Sequence, residues 1–399
     1  MTDQLYITAE DAAARLGVTV PTLYAYVGRK NIRSQKVPGS RQRRYWLPDV
    51  ERAAKGGSRG AGVLGLSTTT DITLLTPDGP YYRGQSVLDL ADHATLEQVA
   101  GLLWEVEEAE AFSGRTAAVP RLWARLRQDF AQETTTDTAI AMLPLLEHSN
   151  PRAYDLSRVG MARSGAEIMR CYAALLTGLD SPDAAPLHLQ ISAAFGKTPE
   201  AAELIRRLLV LSADHGFGAG THAVRAVAST GVSPYRSILA GLAIVTGRRS
   251  LFGRTDGISR LIAELVESAD PKSLVIRRLH EGEEIPGFRS PAPYVNGDPR
   301  ALNLLRAFEA FRGDEIGFRR VKAGLEVMEE AFGASPGFAF VNTLVGRALG
   351  LGRTHVLYVL GRCAGWTAHA IEQYEAGEVE RPQSTYLGSL PPTTGARET

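Results

Sequence analysis

Apolar residues recur at spacings of three and four through ten segments: 88–107, 117–132, 167–178, 199–214, 235–247, 258–269, 299–312, 315–332, 340–349 and 354–375. That period follows the 3.6-residue turn and gives each segment one apolar face, so the segments must stack helix on helix to hide it. Strand signal is confined to short pieces, chiefly 71–75 and 80–83, joined through Thr76-Pro77-Asp78-Gly79, a hairpin-type turn. The expected class is mainly α. With 399 residues, 44% apolar and 22% charged, the chain can bury a sizeable core in two or three domains, and wholesale disorder is excluded.

Forty-four basic residues balance forty-four acidic ones, so any attraction to nucleic acid must be local. The most apolar stretch, 237–245, is about half of the ~20 residues that a bilayer span requires. The start, MTDQLYITAEDAAARLG, lacks a basic-then-apolar signal peptide. Cys171 and Cys363 are the only cysteines, which gives neither a disulfide framework nor a metal cluster. A soluble, cytoplasmic protein with no membrane partner and no metal is expected.

Charge sets the first boundary. From Arg29 to Arg59 there are ten basic residues against two acidic ones, Asp49 and Glu51. A glycine-rich, aperiodic stretch at 55–64 reads as a linker between a module of residues 1–54 and a main domain of 65–389, with 390–399 as a flexible tail. Within the module, Thr8 suits an N-cap, with Asp11 at the third helical position, for a helix over Ala9–Leu16 that Gly17 stops. Pro21 suits the first turn of a second helix to about residue 28. Then IRSQKV-PGSRQ-RRYWL reads as a β-hairpin, and 48–54 as a closing helix. That order resembles the small winged helix-turn-helix modules of the MerR and excisionase type. The resemblance implies DNA binding, with Thr22, Tyr24 and Tyr26 on the recognition helix and Arg41, Arg43 and Arg44 holding phosphates from the wing. The alternative is an appendage that serves dimer packing.

Ordered stretches of the main domain, YYRGQSVLDLADHATLEQVAGLLW, ADHGFGAGTHAVRAVAST, IPGFRSPAPYVNGDPRALNLL, LGRCAGWTAHAIEQY and ERPQSTYLG, resemble citrate synthase, in the subgroup that carries an N-terminal helix-turn-helix. The resemblance implies a two-domain helical fold, with a small domain at about 215–320 closing over a cleft, and a homodimer with shared sites. The family condenses an acyl-CoA with oxaloacetate to give citrate or an alkylcitrate and CoA, with no cofactor beyond the acyl-CoA. The step needs a base for a weakly acidic proton, and donors for the enolate and the ketone.

The half of the site that would grip carboxylates stands at its motif positions. Arg300 falls on Asp-Pro-Arg, Arg362 on the Gly-Arg before Ala-Gly-Trp, Arg381 on Arg-Pro, and His215 on the histidine after Asp214. The reactive half does not. The histidine of Pro-Leu-His-Gly-Gly has no counterpart in GRRSLFGRTDG, and no histidine occurs between His222 and His280. Ser290 stands for the second histidine and Ala339 for the aspartate, with no aspartate after Asp314. Arg248, Arg249, Arg254 and Arg289 are cations where the family has small residues and histidines; Arg248, Arg249 and Arg289 are candidates for an anion or for CoA. His222, seven residues past His215, is placed on the same helix face as a stand-in base, and His280 at a helix end. Two functional readings follow. One is a carboxylate-binding protein that has lost condensation and acts through its DNA-binding module, or as a non-catalytic subunit beside an active paralogue. The other is an active citrate- or 2-methylcitrate-synthase-like acyltransferase with a rebuilt site.

Overall fold

Caps and glycines turn this periodicity into discrete helices. The structure, a computed structural model, describes residues 6–380 except 30, 31, 33, 38, 41, 48, 51–68, 114–118, 248, 289–292, 295, 296, 334 and 352–354; for 25, 26, 28, 29 and 251–254 it describes the backbone alone. The expected closing helix over 48–54 falls largely outside the described residues, and the linker at 55–64 and the tail at 390–399 fall wholly outside them. Two compact units result, one from Met1–Ser67 and Gln383–Thr399, the other from Thr68–Pro382.

The first unit runs β1 (Tyr6–Ile7), α1 (Ala9–Leu16), α2 (Val20–Arg29), β2 (Ser34–Lys36) and β3 (Arg43–Trp46). Its strands form an antiparallel sheet in the order β1-β3-β2, with Tyr6 opposite Trp46 and Ser34 opposite Tyr45. The Thr8 hydroxyl accepts from the Asp11 backbone N–H at 3.1 Å and donates to the Asp11 carboxylate at 3.0 Å, which closes the first turn of α1. Gly17 ends it in the left-handed region, φ +65°. Ala12, Leu23, Ile32, Tyr45 and Val50 make a small core.

The second unit opens with β4 (Thr73–Thr76), β5 (Gly79–Tyr82) and β6 (Gln85–Ser86), an antiparallel sheet in that order in which Thr76 pairs with Gly79 across Pro77-Asp78. The rest is helical: α3 (Val87–His93), α4 (Leu96–Trp104), α5 (Glu108–Ala111), α6 (Trp123–Asp129), α7 (Thr135–Ser149), a single 3₁₀ turn (Pro151–Tyr154), α8 (Arg158–Thr177), α9 (Leu187–Ala194), α10 (Pro199–Ser212), α11 (Ala219–Ala228), α12 (Pro234–Val245), α13 (Leu251–Glu267), α14 (Pro271–His280), α15 (Pro299–Arg312), α16 (Ile316–Phe332), α17 (Phe338–Ala348) and α18 (Val356–Ala376). No described helix is long and apolar enough to cross a membrane.

α18 is the axis of this unit. It packs on α4, α8, α10, α11 and α12, so its apolar residues are covered on all sides rather than along one stripe. Close approach depends on glycine. A Cβ at Gly365 would lie 2.3 Å from the Ala213 carbonyl oxygen and 2.6 Å from the Asp214 carboxylate, and one at Gly241 would lie 2.8 Å from the Trp366 ring. The Gly365 N–H donates to Ala213 O at 3.1 Å, so the backbones of α18 and the end of α10 touch directly.

The periodic segments differ from the helices in three ways. The expected helix over 88–107 breaks at Thr95, where Thr95 and Gln98 form a reciprocal capping box, and again at Glu105. The segment 117–132 supplies only α6. Helices α7, α9, α11 and α14, and the N-terminal parts of α8 and α13, lie outside the periodic segments.

Candidate functional site

Arg362, Trp366 and His369 fall at i, i+4 and i+7 on α18, on one side of the helix. The buried Arg362 guanidinium donates from Nη1 to Asp214 Oδ1 at 2.7 Å and from Nη2 to Thr221 Oγ1 at 2.8 Å, and it lies 5.8 Å from the Trp366 ring centre. Asp214 follows the end of α10 and is wholly buried. Its Oδ2 accepts from Thr73 Oγ1 at 2.7 Å and from the Gly216 N–H at 2.9 Å, and His369 Nε2 lies 3.5 Å from Oδ1. Burial pushes this carboxyl upward, but Arg362 and His369, with the hydrogen bonds, outweigh burial and hold it well below the usual carboxylate range. Asp214 is therefore an anion wherever the protein is folded.

The second pair is local. Asp298 is the N-cap of α15, accepting from the Arg300 N–H at 3.0 Å. The same carboxylate takes the Arg300 side chain in a fork, Nε to Oδ1 at 3.1 Å and Nη2 to Oδ2 at 2.7 Å. Arg300 also sits 4.5 Å from the centre of the Phe338 ring. Burial opposes both charges, yet each partner overrides it: Arg300 rises above the ordinary arginine range and Asp298 falls below that of a carboxylate.

His215 lies between the two pairs. Its Nε2 is 2.9 Å from Tyr294 Oη. Burial first, then the Arg300 charge, pulls the imidazole down to about 3, so it is neutral at pH 7. Burial raises the Tyr294 phenol, which keeps its proton. With two internal ion pairs and a neutral imidazole, the cluster as described carries no net charge.

Beside it opens a cleft of about 610 Å³ lined by Arg362, Trp366, Tyr358, Ala339, Arg249 and Ser250, with the first turn of α11 as one wall. No aspartate, glutamate or histidine lines it among the described residues.

Sequence expectation and structure meet unevenly here. His215, Arg300 and Arg362 share one cluster, and Ala339, Arg249 and Arg362 share one cleft. Ser290, Arg248, Arg289 and Arg381 lie outside the described residues, and of Arg254 only the backbone is described. The placing of His222 needs correcting. His215 precedes α11 in an irregular segment that turns at Gly216, φ +63°, so the two histidines share no helix face. His222 points outward, its side chain 58% exposed and 4.0 Å from Glu380. His280 is the last residue of α14 and exposed. The internal acids Asp214 and Asp298, with Tyr294, Tyr358 and Trp366, went unread in the sequence. Asp298 had a local signal, an N-cap acid before Pro-Arg; Asp214 had none pointing to Arg362.

In the first unit, Tyr24 on α2 is 57% exposed, while the half-buried Thr22 shares a hydrogen bond with Thr19 at 2.9 Å. Two positions apart, they face different sides of the helix. On β3, Arg43 is exposed and its Nε donates to Ser34 Oγ at 3.2 Å, and Arg44 is half-buried. Arg41 and the Tyr26 side chain lie outside what is described.

A family model described as citrate synthase, C-terminal domain, matches residues 62–383. The chain belongs to the citrate synthase family. Its sequence is 28% identical over 378 residues to 2-methylcitrate synthase of Mycobacterium tuberculosis (86% of this chain, 91% of the relative). It is 23% identical over 351 residues to citrate synthase 2 of Bacillus subtilis (81% and 94%). Its fold is that of the citrate synthase of Thermoplasma acidophilum solved with carboxymethyl coenzyme A and oxaloacetate, at a TM-score of 0.67 and 21% identity over 82% of this chain and 95% of that one. The citrate synthase of Thermotoga maritima matches equally, at a TM-score of 0.67 and 24% identity over 82% and 95%.

Proposed function

We propose that this protein binds a small di- or tricarboxylate in the cleft beside Arg362 and does not carry out the condensation for which its relatives are named. One observation carries the reading: Ala339, Gly247 and Ser250 line the cleft, and no carboxylate or imidazole joins them among the described residues. Removal of a proton next to a thioester needs a base, and losing one costs typically a factor of about 10² to 10⁴. Losing a donor to the developing oxyanion costs on the order of 10² to 10³ more. His215 does not fill the gap as a donor of positive charge, because burial keeps it neutral.

The grip is a different matter. A guanidinium has five N–H donors, and the bonds described occupy two on Arg362 and two on Arg300. Arg362 lines the cleft and can take an incoming carboxylate without evicting Asp214; Arg300, which is not among the lining residues, is the second proposed grip. His215 and Arg381 complete this set, and Arg248, Arg249 and Arg289 supply further positive charge.

In this reading, residues 1–54 form a winged helix-turn-helix that binds DNA through Thr22, Tyr24, Tyr26, Arg41, Arg43 and Arg44. Residues 55–64 link it to a family domain of 65–389. A small domain at about 215–320 closes on the ligand and resets the spacing of two modules in a homodimer, or of a heteromer with an active paralogue. The decisive measurement is thiol release from acetyl-CoA or propionyl-CoA with oxaloacetate, by the purified full-length chain. No release is expected; turnover by the chain alone would overturn the reading. A binding titration of the same chain on duplex DNA at several salt concentrations tests the module. A falling log K with log salt supports it, and absence of binding to any duplex removes it.

A further inference from the structure

The wall that α11 presents to the cleft is made of donors. The N-cap of α11 is Gly218, which offers no side-chain cap, so the N–H groups of the first turn lack the partners that a helix interior supplies. Trp366 lines the same cleft; it is 1% exposed, and its Nε1 has no hydrogen-bond partner. That indole nitrogen lies only 3.5 Å from where a Cβ on Gly220 would stand, so it rests against the first turn of α11. Arg249, exposed, and the Ser250 hydroxyl approach from the segment between α12 and α13. The positive end of a helix, an unanswered indole N–H and a guanidinium with no described carboxylate partner converge on one space. Each of them is answered by an oxyanion. Donors arriving from more than two directions match the three free oxygens of a phosphoryl group better than the two coplanar oxygens of a carboxylate.

We propose that the ligand carries a phosphoryl group besides its carboxylates, seated between the first turn of α11, Trp366 and Arg249, with a carboxylate reaching Arg362. The inference rests on the reading of this cleft as an acid-binding site and adds the chemistry of the ligand's other end. The test uses the full-length chain with ¹⁵N-labelled tryptophan, in which the Trp366 indole resonance is identified by its absence in Trp366→Phe; the other three tryptophans serve as internal references. Inorganic phosphate, 3-phosphoglycerate, glycerate and citrate are titrated in turn. The expected result is a shift of the Trp366 resonance with the first two, and at least tenfold tighter binding of 3-phosphoglycerate than of glycerate. Arg249→Ala, at an exposed position that leaves the melting temperature unchanged, should weaken phosphate binding about tenfold. A silent Trp366 resonance, or equal affinity for 3-phosphoglycerate and glycerate, overturns the phosphoryl seat. Glycerate or citrate that still binds in that event leaves the acid-binding reading intact, whereas failure of every carboxylate to bind removes that reading instead.

Discussion

At one end of the cleft, Arg362 is tied to Asp214 and Thr221, and Asp214 in turn to Thr73, Gly216 and His369. Elsewhere on its lining, Ala339, Gly247 and Ser250 are neutral, with Arg249 beside them. The first arrangement is expensive, because each buried charge loses its water and is tolerable only while its partner stays. The second makes no such demand. An ion-paired end built this way is part of the scaffold, and substitutions there should damage folding. The neutral part of the lining, Ala339 above all, should tolerate substitution without loss of folding as far as its volume allows.

The comparison can be broken most easily at Asp214. Asp214→Ala strands the Arg362 charge in a dry site, and equilibrium denaturation should show a loss of about 3–5 kcal/mol. A near-neutral result would mean that water reaches Arg362 and that this end is not scaffold. Gly365→Ala probes the same join sterically: its methyl would meet Ala213 O at 2.3 Å, so α18 must shift away from α10, and a loss of about 2–3 kcal/mol in the same measurement is expected.

Acid should act through His215 next. Its pKa falls from the ordinary 6.5 to about 3 in the folded protein. The unfolded chain therefore binds the proton first: the stabilisation is fully present above pH 6.5 and drains away as pH falls toward 3. Stability measured between pH 6.5 and 4.5 should drop by up to about 1.4 kcal/mol per pH unit from this group. His215→Gln should flatten the slope, leaving what His188 contributes, whose pKa burial also lowers. Asp214 and Asp298, held low, add their losses only at still lower pH. A slope unchanged by His215→Gln would place that imidazole in water.

Two smaller effects sharpen the contrast. Glu372 accepts from Thr70 Oγ1 at 3.1 Å and from the Asp71 N–H at 2.8 Å, and it pairs with Arg225. Glu372→Gln keeps an acceptor but loses the charge, and should cost about 1 kcal/mol, seen as faster amide exchange at Asp71 and Ile72. Ala339→Asp, at a half-buried position on the cleft wall, should change stability by less than about 0.5 kcal/mol and still release no thiol from acetyl-CoA. A loss of several kcal/mol there would erase the distinction between the two ends.

What the sequence disclosed follows the range of the interactions involved. Long helices with a continuous apolar stripe, such as α15 and α16, could be read to within a residue, because burial of one face and the caps that end it are local properties. α7 escaped because it starts in the polar run Thr134-Thr135-Thr136-Asp137 and carries Pro144 in its interior, both poor advertisements for a helix. α11 was legible in the stretch ADHGFGAGTHAVRAVAST but its start was not: Gly216, at φ +63°, turns the chain before Ala219, so His215 stays outside the helix. At the site, Arg300 was legible from its Asp-Pro-Arg motif, and Asp298, two residues before it, carried a local cap signal that went unused. The pairing of Arg362 with Asp214 spans 148 positions, and no local pattern announces it. That no aspartate follows Asp314 could be read directly, because it is a matter of which residue types occur there.

The Asp214 carboxylate joins Thr73, 141 positions before it, to Arg362, 148 positions after it. Contacts of such sequence separation form only after both flanking stretches have collapsed, and of the described helices α18 leaves the ribosome last. No truncated product ending before Arg362 can form this buried pair. Its formation therefore marks finished, correctly closed molecules among nascent fragments.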